Sequence, residues 1–133
     1  MKYRNIGNWT YGLTSTYDYD KSITLSTELF DTSKRIWKGS EQITLENVTY
    51  HELGHFVAWI TDRSDLTNKM QQLKKEEDKR HTENAAEYFA DSYMRWVLNR
   101  NQLKKEQPRT YQYIKEQIDY ISKTPISHWI GKY

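Results

Sequence analysis

The segment Tyr50-His51-Glu52-Leu53-Gly54-His55 holds two histidines four residues apart with a glutamate directly after the first, the H-E-x-x-H pattern. On a helix that spacing stacks both imidazoles on one face, roughly 6 Å apart at Cβ, so that they converge on a single ion. Glu52 then stands beside the ion without pointing at it. A carboxylate so placed can take the proton of a water that a metal has acidified. The chain has no cysteine, so thiolate ligands and disulfides are both excluded and any metal must be held by histidines and carboxylates.

A catalytic zinc takes three protein ligands and leaves a fourth position open, so one ligand has to come from elsewhere in the chain. The other histidines, His81 and His128, and a carboxylate on a neighbouring helix are the candidates. Glu87 is the best placed of these. It lies on the apolar side of a predicted helix, among Ala86, Phe89 and Ala90, where an unpaired carboxylate is costly to bury. Asp91 follows one turn later and is placed to accept a hydrogen bond from the second ring nitrogen of a zinc-bound histidine. Gly54 either lets another segment approach the metal helix closely or is a tolerated helical glycine. His81, in a charged stretch, reads as a solvated residue more readily than as a transition-state donor, and His128, beside Trp129, as a packing residue.

The elements that must position these residues follow from hydrophobic periodicity. Residues from about Trp9 to Ser26 flank the turn signal Asp18-Tyr19-Asp20-Lys21 and predict a β-hairpin, its second arm Ser22 to Ser26 alternating as a half-buried strand. A helical turn is expected around Leu29 to Trp37, ended by Gly39. Leu45, Val48, Leu53, Phe56, Val57 and Ile60 build one apolar stripe and predict a helix from about Gln42 to Ile60. The polar stretch from Thr61 to Arg80 reads as a loop and a helix containing Leu66, Met70 and Leu73. A third helix spans Glu83 to Leu103, and a last one follows Pro108 and stops before Thr124-Pro125.

At 133 residues the chain suits one domain, and 36% hydrophobic with 14% aromatic residues suffices for one core. A mean hydropathy of −1.01 describes a very polar surface. No apolar run approaches the roughly 20 residues of a membrane span, and the start lacks the apolar stretch of a secretory signal. These features leave a cytoplasmic protein and a trimmed secreted one equally open. The net charge of +2 is small and runs such as LKKEEDKR interleave both signs, so neither nucleic acid nor a membrane is an expected partner.

The blocks HELGH, ENAAEYFADSYMRW and PRTYQYIKEQI, in this order between Leu45 and Ile121, resemble the catalytic domain of anthrax lethal factor and the related bacterial Pro-Pro endopeptidases, with a weaker echo in TYGLTSTYDYDKSITLST. The resemblance implies that His51, His55 and Glu87 bind Zn2+ and that Glu52 activates water. It also implies an α+β, zincin-like fold, mostly helical, with a small amino-terminal sheet packed on the H-E-x-x-H helix. An edge strand near Ile23 to Ser26 would then pair with an extended peptide or protein substrate. One departure stands out. The family tyrosine seven residues before the glutamate ligand, which supports the oxyanion, is Arg80 here, followed by His81, and either is a candidate replacement.

The leading expectation is a zinc metallopeptidase of residues 1–133. The alternative is a zinc-binding regulatory or toxin-like domain with one dedicated protein substrate or little turnover. A base beside an open metal position argues against the second, because a structural site has no use for it.

Overall fold

The computed structural model describes residues 1–4, 11–17, 20–30, 36–38, 41–61, 65–81 and 83–123. The amino-terminal part is a three-stranded sheet of β1 (Lys2–Arg4), β2 (Gly12–Tyr17) and β3 (Asp20–Ser26) in the order β1-β3-β2. β2 and β3 form the expected antiparallel hairpin with Gly12 opposite Leu25 and Tyr17 opposite Asp20, while β1 runs parallel to β3. β3 is therefore the central strand and β2 an outer one, which corrects the expectation of an edge at Ile23 to Ser26. Alternation suggests a half-buried β3, yet Ile23, Thr24, Leu25 and Ser26 are all buried.

Residues Thr27–Phe30 form a 3-10 turn; of the helical turn expected around Leu29 to Trp37 and ended by Gly39, residues 31–35 and Gly39 lie outside the described residues, while Ile36–Lys38 form β4, paired antiparallel with β5 (Glu41–Ile43). The H-E-x-x-H helix starts later than periodicity suggests. α1 spans Leu45–Thr61, and Thr44 Oγ1 accepts from Asn47 N at 3.0 Å to cap its first turn. α2 (Leu66–Glu77) follows, then α3 (Ala85–Leu98), α4 (Arg100–Glu106) and α5 (Pro108–Lys123). The single helix expected over 83–103 is thus two. Asn99 adopts φ −140° and ψ 53°, ending α3, and no glycine or proline announces the break. Gln107 breaks the chain again, as a residue before proline tends to.

Two apolar clusters share α1. Leu66, Met70, Leu73, Ala85, Tyr88, Phe89, Tyr113 and Ile114 form the core among α2, α3 and α5, with Val57 and Ala58 of α1 against it. Ile23, Leu25, Leu29 and Val48 form a smaller one under the sheet, with Leu53 and Phe56 of α1 packed there. The two faces of α1 are thereby held by sheet and helices, leaving the intervening strip for polar residues. Ala86, expected inside, is exposed, because the buried side of α3 runs through Ala85, Tyr88, Phe89 and Ser92. Among the described residues no helix is long and apolar enough to cross a membrane.

Candidate metal centre

α1 and α3 cross where Gly54 meets Ala90. A Cβ on Gly54 would lie 2.8 Å from Ala90 Cα and 3.0 Å from its carbonyl oxygen, so this contact admits only glycine without displacement. The close approach brings the first turn of α3 over the His51–His55 face of α1. Asn84 fixes that turn, its side chain accepting from Glu87 N at 3.0 Å. Glu87 is the third residue of the helix, the position whose carboxylate often folds back on the cap. Here it reaches across to α1 instead.

His51 Nε2 lies 2.8 Å from Glu87 Oε2, and His55 Nε2 lies 3.2 Å from Glu87 Oε1. The two rings are 5.0 Å apart and nearly perpendicular, at 84°. His51 Nδ1 is taken by Asp91 Oδ1 at 2.6 Å, so its Nε2 is the nitrogen turned to the cluster. Donors bound tetrahedrally at ~2.1 Å stand roughly 3.4 Å apart, near the His55–Glu87 separation and wider than the His51–Glu87 one. Two imidazoles and a carboxylate, without thiolate, are a donor set that suits zinc. The ligand atoms of His51, Glu52 and His55 all lie within 4.8 Å of one another, close enough to hold a metal ion, and the residues present fit such an ion.

The electrostatics describe a place made for positive charge. Burial pulls the His51 pKa down, but the carboxylates of Asp91 and Glu87 on its two nitrogens more than reverse this, and it rises from 6.5 to about 10. Hydrogen bonds from His51 and His55 hold the Glu87 carboxyl far below the usual carboxylate range. For Asp91, burial raises the pKa, yet His51 and His81 together bring it from 3.8 to about 2.

Glu52 is 5% exposed and is held from the sheet side by Thr14, whose hydroxyl lies 2.6 Å from Glu52 Oε2. His81 is half-buried. Its Nε2 lies 2.7 Å from Asp91 Oδ2, on the opposite side of Asp91 from His51, and its ring meets Tyr88 edge-on at 5.1 Å. It is thus neither solvated nor part of the His51–His55–Glu87 cluster, although His81, Glu83 and Asp91 form a second group of metal-binding type. Arg80 is exposed in the turn after α2, and His128 lies outside the described residues. Gly12 and Thr14 had no signal in the sequence, because nothing in a strand's alternation tells which helix residue its inner face will meet.

The fold and the cluster define an α+β domain in which a pair of crossed helices gathers two histidines and a carboxylate around a buried glutamate. Residues 16–117 match the family described as anthrax toxin lethal factor, N- and C-terminal domain, and the chain belongs to that family. No curated protein matches it.

Proposed function

We propose that the protein is a zinc-dependent endopeptidase with His51, His55 and Glu87 as the metal ligands and Glu52 as the general base. The observation that carries this reading is the convergence of His51 Nε2 and His55 Nε2 on the two oxygens of Glu87, with the Glu52 carboxylate alongside. When bound, the ion supplies a Lewis acid that acidifies a water and polarises a peptide carbonyl. Glu52 accepts the proton of that water and hands it to the leaving amine. Asp91 keeps the His51 ring in the orientation and tautomer that leave Nε2 to the metal. His81, held by Asp91, steadies that carboxylate. Arg80, exposed in the turn after α2, is a candidate to support the oxyanion.

The sheet suggests how a substrate is held. β2, rather than β3, is the outer strand beside Glu52, so an extended peptide would add along β2. Membership of the lethal-factor family supports peptide as the substrate class.

The test combines metal content with hydrolysis of a quenched-fluorescent peptide library that includes proline-containing members. About one zinc per chain is expected in the parent and in Glu52→Gln, with the metal lost in His55→Ala and weakened in Glu87→Ala. Cleavage is expected in the parent alone. A parent that takes up no stoichiometric zinc when offered it overturns the reading. Full zinc without cleavage would instead favour the binding-module alternative.

A further inference from the structure

A glutamate has three side-chain torsions, and a general base that samples them all spends little time in reach of its proton. In this protein the Glu52 side chain is confined from the sheet side. The Thr14 hydroxyl lies 2.6 Å from Glu52 Oε2 and 3.1 Å from the Glu52 main-chain oxygen. A hydroxyl has one proton to give, and the carboxylate is both the nearer and the stronger acceptor, so the bond runs to Oε2. Gly12, two residues earlier and therefore on the same face of β2, brings the strand backbone against the stem of the same side chain. A Cβ there would stand 2.7 Å from both Glu52 Cγ and Val48 Cγ1, and 3.0 Å from Glu52 Oε1.

We infer that Thr14 is a positioning residue for the general base, holding the Glu52 carboxylate through Oε2, while Gly12 gives its stem room to lie there. The inference rests on the zinc-peptidase reading. It gives β2 a second task besides pairing with substrate, since the strand that would receive the peptide also fixes the base that acts on it. The Thr14 hydroxyl acts on the reaction through Glu52, to which it is bonded.

The experiment compares Thr14→Val, which keeps the shape and loses the hydroxyl, with Thr14→Ser, which keeps the hydroxyl. On the peptide cleaved fastest from the library, Thr14→Val should lower kcat by roughly tenfold or more, the size expected for losing a hydrogen bond to a charged group, with KM changed less than about twofold. Thr14→Ser should restore most of the rate. Zinc content should be parental in both. A second readout needs no turnover. In metal-stripped protein, the drop in Tm caused by Thr14→Val should be smaller in a Glu52→Ala background than in the parent, because that background lacks the carboxylate and keeps the main-chain oxygen. Additive drops, or Thr14→Val turning over at the parental kcat in a Glu52-dependent enzyme, overturn the inference. Failure of the peptidase reading looks different: a parent without zinc, or a Glu52→Gln protein that still cleaves.

Discussion

An imidazole carrying two protons cannot bind a metal, and His51 in the metal-free fold is held in that state by carboxylates on both nitrogens. Its pKa, raised from 6.5 to about 10, makes the pH dependence of stability specific. A group raised on folding contributes fully below its unfolded pKa and loses that contribution as pH climbs to the folded one. Metal-stripped protein should therefore lose Tm steadily between about pH 6.5 and 10, and less steeply as His51→Gln. A flat profile in thermal unfolding would mean that His51 is uncharged in the metal-free fold. At this scale the legible residues were those related by helix periodicity. His51 and His55 share a face by their spacing, and Glu87 and Asp91 share one by theirs, so each pair could be read within its own segment. That His81 would turn to Asp91, or Thr14 to Glu52, depends on how loops and a strand fall in space, and spacing along the chain carries no record of it.

Between elements, the α1–α3 crossing is the contact on which the cluster depends. Gly54→Ala would put a methyl group against the backbone of Ala90, which cannot move like a flexible side chain end. The helices must then separate, at a cost of about 1–3 kcal/mol for an overpacked contact. Both a lower urea midpoint and weaker zinc binding are expected, and parental values for both would show that the crossing has slack. The helix interiors were readable because apolar stripes fix them. Their ends were not. Thr44 caps α1 after a short strand whose residues continue the helical apolar pattern, and Asn99 parts α3 from α4 although both sides are good helix formers. Arg95 then fastens the far end of α4 back to α3, donating to Gln107 Oε1 at 2.6 Å and to Glu106 Oε2 at 2.8 Å.

Across the whole molecule, the α+β class with its small sheet was legible because the alternating hairpin and the longer helical stripes occupy separate stretches of the chain. The order of strands in the sheet was not, since β1 carries only three residues, all exposed. The helical half is tied together at a distance from the cluster. Glu77, at the end of α2, accepts from Thr110 N at 2.6 Å and Thr110 Oγ1 at 2.8 Å with one oxygen, and from Arg109 N at 3.0 Å with the other, satisfying donors in the first turn of α5. Glu77→Ala should cost roughly 1–2 kcal/mol, as loss of a helix cap does, and leave zinc content unchanged. A zinc loss there would show that α5 bears on the cluster after all.

The reach of Glu87 across to His55 has a topological consequence. All of α2 lies in the chain between these two residues. An ion gripped by both would turn that stretch into a ring, as a disulfide does in chains that have cysteines. Such a ring has fewer unfolded conformations to return to. α2, which contributes no ligand, would then be the helix whose opening a chelator most promotes.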